Sequence, residues 1–170
     1  VVITTGTGNV TSSRRQVELA RQYKATAILT TGDYLLHLAD TARQMGLDPK
    51  KDFNIKALPN IGDREKLEET FGVPNYQSYG FHEVQWVAIE CPARKGLHVF
   101  EDAFVIQVVD KETGEPVPEG TLGSLCVTEI YKTGSPQFRY NIQDLSALMP
   151  REQCDCGSWL RRIAPFAGRA

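Results

Sequence analysis

The fold of the first half of this chain is indicated most clearly by residues 27–49, which read AILTTGDYLLHLADTARQMGLDP. The apolar run 27–29 is typical of a short buried strand, and Asp33 can cap the helix that follows it. The apolar positions of that helix recur at helical spacing and are Leu35, Leu38, Ala39, Ala42 and Met45. Gly46 ends the pattern, with an Asp-Pro pair just beyond it. The segment therefore predicts a strand followed by an amphipathic helix.

The flanking segments repeat this alternation of strand and helix. Ser12 or Ser13 can cap an earlier helix, and a later helix is expected to run from about Asp63 to Phe71 and to be ended by Gly72. Residues 53–58 and 76–79 have the composition of strands. Alternation of this kind is typical of a largely parallel sheet. Residues 1–84 are therefore expected to form an α/β subdomain in which strands and helices alternate along a parallel sheet.

The second half, residues 85–170, has a different texture. Short strand candidates follow one another with turns between them, at residues 87–91, 97–100, 104–109, 123–130 and 138–141. One further strand is expected after Trp159. The Gly- and Pro-containing segment 112–120 predicts a turn between two of these strands. This half is therefore predicted to be an antiparallel, β-rich subdomain.

Composition limits the classes of partner. The chain has 170 residues, of which 24% are charged and 41% hydrophobic, and its formal net charge is −2. This profile is typical of a folded globular protein and predicts neither a nucleic acid nor a membrane as partner. The sequence contains no apolar run near the about 18 residues of a membrane span. Since the chain shows no basic-then-apolar signal pattern, a cytoplasmic location is expected.

Cysteine and histidine spacing suggests a metal site. Cys91 and His98 stand at Cys-x6-His spacing, and the pair Cys154 and Cys156 follows far downstream. Three thiolates and one imidazole form a closed tetrahedral set typical of structural zinc. The alternative is that Cys91 is a small buried residue, His98 a hydrogen-bonded strand residue and the Cys-x-Cys segment an incidental loop. Cys126, between two apolar residues, is expected to lie in the core.

Three stretches of the chain carry a resemblance to a known family. The first is 79–84, Tyr-Gly-Phe-His-Glu-Val; the second is 96–102, followed by Glu-Thr-Gly-Glu-Pro at 112–116; the third is 139–145, Arg-Tyr-Asn-Ile-Gln-Asp-Leu. A Cys-x-Cys-Gly segment and a Gly-Arg pair at 168–169 complete the order. Together they resemble the phenylacetate–CoA ligase branch of the adenylate-forming enzymes, along nearly the whole chain.

The resemblance implies an activity that joins a carboxylic acid to coenzyme A. Such enzymes adenylate the acid with ATP and then transfer the acyl group to coenzyme A. The resemblance implies an aryl or arylacetic acid as substrate, and a homodimer as an assembly to test. It also implies that this chain is part of the large N-terminal domain and is inactive alone.

The resemblance also assigns roles to individual residues. Glu83 would bind Mg²⁺, and Gly80 would let the backbone approach the nucleotide. The ring of Tyr79 would pack against adenine, while Asp144 and Arg169 would contact the ribose. His82, which stands where the family has a hydroxyl residue, is a further catalytic candidate beside Glu83.

Each of these residues also has a purely structural interpretation. On the sequence alone, Glu83 can be a solvated loop carboxylate, Asp144 the N-cap of a helix and Tyr79 a core residue. The family's Ser/Thr-rich phosphate loop and its lysine-bearing C-terminal domain have no counterpart in the sequence. The start at Val1 reads as a buried strand entered partway through, so a longer natural chain is expected.

Departures from the family pattern leave a second function open. The segment 58–62, Leu-Pro-Asn-Ile-Gly, replaces the family's Ala-Glu-Pro motif, and Gln143 replaces an arginine before Asp144. Of these departures, Asn60-Ile61-Gly62, together with His82, favour a non-catalytic binding or interaction module stapled by zinc. The ligase interpretation and this alternative differ in whether the chain binds nucleotide.

Overall fold

The computed structural model describes residues 2–6 and 10–169. The chain divides into two compact units, with the boundary between Gln77 and Ser78. The sequence-based division was placed after Val84, and its outer limits, Val1 and Ala170, lie outside the described residues. Among the described residues, every helix is too short or too polar to cross a membrane.

The described residues of the first unit form three helices: α1 (Ser13–Gln22), α2 (Gly32–Gln44) and α3 (Arg64–Phe71). The ends of α1 and α3 follow local chemistry. Ser12 caps α1 by accepting a hydrogen bond from the Arg15 backbone N–H, and Asp63 caps α3 in the same way. Gly72 ends α3 in the left-handed conformation, with a φ of 68°. These ends match the sequence prediction.

Helix α2 begins earlier than its sequence suggests. Thr31 takes the N-cap position, so Asp33, the expected cap, lies inside the first turn. The Gly32 backbone N–H donates to Ile61 O at 2.8 Å, and a Cβ on Gly32 would meet that oxygen at 2.8 Å. This close approach of two backbones, rather than a capping side chain, fixes the start of the helix.

The apolar stripe of α2 forms the core of the first unit, as predicted. One cluster contains Leu35 and Ala39 with residues from the later segments, and Leu38 and Ala42 pack in a second cluster with Val17 of α1. The first cluster also contains Ile55, Leu58, Leu67 and Phe71.

The prediction of a parallel sheet in the first half is wrong. The described segments 27–29 and 53–58 contain no strand, and the structure has one parallel bridge here, between Leu58 and Asn75. Asn75 also donates from its side chain to Leu58 O and Asn60 O. Extended segments are therefore joined by an isolated β-bridge and by hydrogen bonds from an amide side chain, instead of by the continuous backbone hydrogen bonds of a sheet. Leu29 is 62% exposed, whereas a strand of a parallel sheet is covered on both faces.

The strand expected at the start of the chain is also wrong for the described residues. Residues 2–6 are in neither helix nor strand, and Val2 is 91% exposed. Val1 lies outside the described residues.

The second unit contains two antiparallel sheets, as the β-rich pattern predicts. One has the order β1-β2-β3-β7 and the other β4-β5-β6. The strands are β1 (Ser78–Phe81), β2 (Gln85–Glu90), β3 (Leu97–Val99), β4 (Phe104–Val109), β5 (Leu122–Glu129), β6 (Tyr140–Ala147) and β7 (Arg162–Ile163). Asp144 lies within β6, so it is not the cap of a helix.

One core joins the two sheets of the second unit. Buried residues from both sheets form a single apolar cluster, with members such as Val87 and Val99 from one sheet and Val108 and Leu125 from the other. Tyr79 belongs to this cluster. The core therefore fixes β1, which carries Tyr79 and Gly80, relative to β6, which carries Asp144.

Candidate functional site

Asp144 is the centre of a three-residue network. The Tyr79 hydroxyl donates to Asp144 Oδ2 at 3.0 Å, across 65 positions of sequence, and Arg169 Nε donates to Asp144 Oδ1 at 2.9 Å. The Asp144 side chain is 9% exposed, whereas that of Arg169 is 74% exposed. A nearly buried carboxylate thus holds a cation whose other guanidinium nitrogens face solvent.

Backbone pairing holds Arg169 beside Asp144. The two residues form an antiparallel bridge, in which the Leu145 backbone N–H donates to Gly168 O at 2.7 Å. The Ala167 backbone N–H donates in turn to Leu145 O at 2.8 Å. Because directly opposite residues of an antiparallel pair have neighbouring side chains, the bridge brings the guanidinium to the carboxylate.

Tyr79 occupies the core side of this network. It is 5% exposed and packs within the apolar cluster of the second unit. Burial raises the pKa of Tyr79 well above its usual value, and the negative charge of Asp144 adds to this while Arg169 opposes it. The phenol therefore remains a donor to Asp144. The ring face expected to pack against adenine is covered by protein in this conformation.

Gly80 stands at a bulge where β1 and β2 come closest. The register shifts between Tyr79 and Gly80, and a Cβ on Gly80 would lie 1.8 Å from Gln85 O. Only glycine fits at this distance. The turn that follows exposes both His82 and Glu83. The structure therefore places the predicted magnesium ligand on an exposed hairpin directly after the Tyr79–Gly80 step.

Two residues near this hairpin were not anticipated from sequence. Lys132 Nζ donates to the backbone oxygen of Glu83 at 2.7 Å and lies 3.6 Å from Glu129 Oε2. A lone lysine after a strand and a glutamate at the end of that strand form no recognisable motif. The sequence of β5 does carry one signal, because its last residue is acidic and stands at a buried position.

The four predicted metal ligands come together in the second unit. Cys91 Sγ lies 3.7 Å from Cys154 Sγ, and Cys156 Sγ lies 3.5 Å from His98 Nε2. All four ligand atoms lie within 4.8 Å of one another. Cys126 is buried in β5 and is not a member of this cluster, as expected. The cluster can hold a metal ion.

The spacing of the cluster fits a tetrahedral ion. Zinc bonds of about 2.3 Å to sulfur and about 2.0–2.1 Å to nitrogen place two sulfurs about 3.8 Å apart, and a sulfur and a nitrogen about 3.6 Å apart. The Cys91 Sγ–Cys154 Sγ distance of 3.7 Å and the Cys156 Sγ–His98 Nε2 distance of 3.5 Å are close to these values. A disulfide needs a sulfur separation of about 2.05 Å, so the Cys91–Cys154 pair is not bonded.

Three elements carry these ligands. Cys91 follows β2, His98 lies within β3, and Cys154 and Cys156 flank a tight turn. In that turn the Gly157 backbone N–H donates to Cys154 O at 2.7 Å, and Gly157 has a φ of 87°. The turn aims two sulfurs at the end of an antiparallel sheet.

The electrostatics of the cluster differ from residue to residue. The Cys156 backbone N–H lowers the pKa of the Cys154 thiol, whereas burial raises the pKa of Cys91 and lowers that of His98. The Leu160 backbone opposes the shift at His98. Nδ1 of His98 is buried without a partner in hydrogen-bonding geometry. A neutral imidazole that presents Nε2 to the cluster is the form that binds a metal.

A buried arginine supports the loops around the cluster. The Arg162 side chain is 2% exposed and donates to Lys95 O at 2.7 Å and to Glu152 at 2.8 Å. Lys95 in turn forms an ion pair with Asp155 at 2.8 Å. Arg162 therefore ties the loop that leads to His98 to the segment that leads to Cys154. No pattern in the sequence around Arg162 indicates this role.

Comparison with known proteins identifies relatives of this chain. No family model matches it. It is 33% identical over 167 residues to phenylacetate–coenzyme A ligase of Pseudomonas putida, and 34% identical over 165 residues to that of Thermus thermophilus. A solved structure of 2-hydroxyisobutyryl-CoA ligase in complex with 2-HIB-AMP and CoA matches 98% of this chain with a TM-score of 0.84 and 24% identity, which supports the fold.

These matches cover almost all of this chain and a minority of each relative. The Pseudomonas putida alignment covers 93% of this chain and 37% of that enzyme, and the structural match covers 38% of the solved chain. Over nearly its whole length, this chain is therefore homologous to a segment of the phenylacetate–coenzyme A ligases, and it spans about 37% of their length.

Proposed function

We propose that this chain is part of an AMP-forming acid–CoA ligase and carries part of its nucleotide site. The observation that supports this most directly is the convergence of Tyr79, Asp144 and Arg169, which lie in the first and last of the quoted motifs and in the Gly-Arg pair. The homology to phenylacetate–coenzyme A ligases supports a nucleotide as the ligand of this network.

In the proposed reaction, a carboxylate attacks the α-phosphate of ATP and pyrophosphate leaves. The thiol of coenzyme A then attacks the acyl carbonyl of the adenylate, and AMP leaves. The names of the relatives support an arylacetic acid as the substrate class and coenzyme A as the acceptor. Such a reaction depends chiefly on positioning and on neutralising phosphate charge. Because the chain spans about 37% of its relatives, it is expected to be inactive alone.

Asp144 and Arg169 are proposed to bind the ribose. A carboxylate offers about four lone-pair sites, and protein donors occupy one on each oxygen of Asp144. The remaining sites can accept hydrogen bonds from the two ribose hydroxyls. The exposed nitrogens of Arg169 can donate to the same hydroxyls. Tyr79 would then serve by orienting Asp144 and holding its carboxylate in place.

Glu83 is proposed as the magnesium ligand. Mg²⁺ is usually held by one or two carboxylates together with substrate phosphates and water, so one exposed carboxylate suits it. The ion would offset negative charge on the phosphates of ATP. His82, next to Glu83 and equally exposed, is proposed to donate a hydrogen bond to a phosphate oxygen. Gly80 keeps side-chain bulk away from this approach.

The cluster of Cys91, His98, Cys154 and Cys156 is proposed to bind a structural zinc ion. Its composition and the distances of 3.7 Å between Cys91 and Cys154 and 3.5 Å between Cys156 and His98 suit tetrahedral zinc. All four positions are protein ligands, which leaves none for water or substrate. The ion would staple the end of one sheet to the Cys-x-Cys turn and take no part in the chemistry.

One observation favours the alternative of a zinc-stapled module without catalysis. The ring of Tyr79 is 5% exposed, so the network around Asp144 can be a structural device of the core. This alternative predicts bound zinc and no nucleotide affinity.

Calorimetric titration with AMP distinguishes the two functions. The unsubstituted chain is expected to bind AMP weakly. Asp144→Asn should reduce the affinity at least about tenfold, because the loss of one good polar contact costs about 1.4 kcal/mol of binding free energy. Asp110→Asn is the matched control, since Asp110 only accepts bonds from its own turn. Equal AMP affinity in Asp144→Asn and the unsubstituted chain would contradict the proposed site. Zinc content of one per chain without AMP binding would favour the alternative.

A further inference from the structure

Lys132 joins two loops that lie far apart in sequence. It follows β5, in the loop that leads to β6, and its Nζ donates to the backbone oxygen of Glu83 at 2.7 Å across 49 positions. The same Nζ lies 3.6 Å from Glu129 Oε2. The lysine therefore bridges the exposed β1–β2 hairpin and the end of β5.

Glu129 is an unusual partner because it is fully buried. Its side chain is 0% exposed, while that of Lys132 is 34% exposed. The Gln137 backbone N–H donates to Glu129 Oε2 at 3.1 Å, and the Glu129 backbone N–H donates to Gln137 O at 2.9 Å. Burial of a carboxylate is costly unless it is compensated, so this arrangement differs from an ordinary surface ion pair.

These contacts connect the hairpin that bears Glu83 to the loop that leads into β6, the strand of Asp144. Through Glu129, Lys132 is tied to Gln137 and so to the segment that enters β6, the strand of Asp144. Through its bond to the Glu83 backbone, it is tied to the hairpin that carries the Glu83 carboxylate. A bond to the carbonyl of Glu83 restricts the peptide that follows that residue, and this limits where its side chain can point.

We propose that Lys132, held by the buried carboxylate of Glu129, is a positioning residue that orients the Glu83 hairpin for a Mg²⁺–nucleotide ligand. This inference rests on the proposed function, because it gives Lys132 a role only through Glu83. Lys132 acts through the backbone of the hairpin and contacts neither metal nor phosphate in this role.

Amide hydrogen exchange tests whether Lys132 restrains the Glu83 hairpin, and the measurement needs no ligand. Lys132→Met keeps most of the unbranched side chain but removes its charge and its donors. Amide exchange at residues 82–84 should rise about five- to tenfold, because a charged donor to that loop is lost. Lys132→Arg should restore most of the protection, and Lys111→Met, in an exposed turn of the same unit, should leave it unchanged. Unchanged exchange in Lys132→Met would overturn the inference.

Calorimetry with ATP, in the presence and absence of Mg²⁺, tests the link to function. Lys132→Met should reduce the Mg²⁺-dependent gain in ATP affinity about tenfold and leave Mg²⁺-free affinity within about twofold, since Asp144 is untouched. Lys132→Arg should recover the gain. A purely structural role would lower both affinities together. A looser hairpin with the Mg²⁺-dependent gain intact would overturn the positioning role.

The same titrations separate this inference from the proposed function. If the unsubstituted chain binds ATP with no dependence on Mg²⁺, the role of Glu83 fails, and the positioning inference fails with it. If the unsubstituted chain shows the gain and Lys132→Met retains it, the proposed function stands and only the inference about Lys132 is overturned.

Discussion

Cys91 Sγ and Cys154 Sγ lie 3.7 Å apart although 63 positions separate the two residues. That separation is too long for a disulfide and close to the about 3.8 Å between two thiolates on one tetrahedral zinc ion. His98 and Cys156 form a second pair at 3.5 Å. A cluster of this kind ties the Cys-x-Cys turn to β3 through whatever ion it binds.

Zinc removal is expected to destabilise the second unit. A ligand that binds only the folded state at about 1,000 times its Kd adds about 4 kcal/mol to the free energy of unfolding. Chelation, or Cys154→Ser, should therefore lower the thermal midpoint strongly and reduce zinc content from one per chain to near zero. Atomic emission and thermal unfolding measure the two effects. Cys126→Ala should keep one zinc per chain, because Cys126 lies outside the cluster. No zinc in well-folded protein would exclude the site.

Arg162→Met should lower the zinc affinity of the same cluster, although Arg162 is not one of its four ligands. The substitution leaves Lys95 O without its buried donor and is expected to lower the free energy of unfolding by about 1–3 kcal/mol. Loss of a residue that supports metal-bearing loops should also reduce zinc affinity about tenfold. Competition with a chromogenic chelator measures the affinity. Arg151→Met, at an exposed pair with Glu101, should change the stability by less than about 0.5 kcal/mol.

The correct grouping of the four Cys and His side chains and the failure of the parallel-sheet prediction have different physical causes. Thiolate and imidazole ligands are rare side chains whose chemistry limits their use, so Cys91, His98 and the Cys-x-Cys pair can be grouped from sequence alone. Helix ends are also local, which explains the correct prediction at Asp63 and Gly72. Strand pairing is a property of the partner as well as of the strand, and the apolar run 27–29 carries no information about its partner.

The proposed nucleotide site shows the same division between what the sequence predicts and what only the fold specifies. Asp144 and Arg169 were predicted as neighbours in function, and the structure joins them through a bridge between β6 and the segment after β7. Burial of Tyr79 follows from how two sheets pack, which the local sequence does not specify. Lys132 was missed because its partners, the Glu83 carbonyl and Glu129, are defined only by the folded backbone.

Gly80→Ala is expected to be strongly destabilising. The added Cβ would lie 1.8 Å from Gln85 O, so the bulge between β1 and β2 must open. A clash with backbone cannot be relieved by a rotamer change, and we expect a loss of about 2–4 kcal/mol in the free energy of unfolding. Gly134→Ala is the matched control, because no atom lies within 4 Å of its Cβ position. Urea unfolding of both variants gives the comparison, and equal stability would contradict the tight approach at Gly80.

The raised pKa of Tyr79 predicts a specific loss of stability at high pH. Burial, and then the charge of Asp144, keep this phenol protonated in the folded state above the usual pKa of about 10 that it regains on unfolding. Below pH 10 both states hold the proton, so the pH dependence from this group is absent. Above pH 10 the unfolded state loses the proton and the folded state keeps it, so the folded state becomes less stable as the pH rises.

The expected size of this effect is about 1.4 kcal/mol between pH 9 and pH 11, since one pH unit above the unfolded pKa costs about 1.36 kcal/mol. Tyr79→Phe removes the titrating group, so its stability should fall less over the same interval. Subtracting one series of urea-unfolding free energies from the other cancels the contributions of the other tyrosines and of the lysines, because both proteins share these residues. Tyr131→Phe, at an exposed tyrosine, should behave as the unsubstituted chain does. Parallel pH profiles for Tyr79→Phe and the unsubstituted chain would mean that the pKa of Tyr79 is not raised in the folded state.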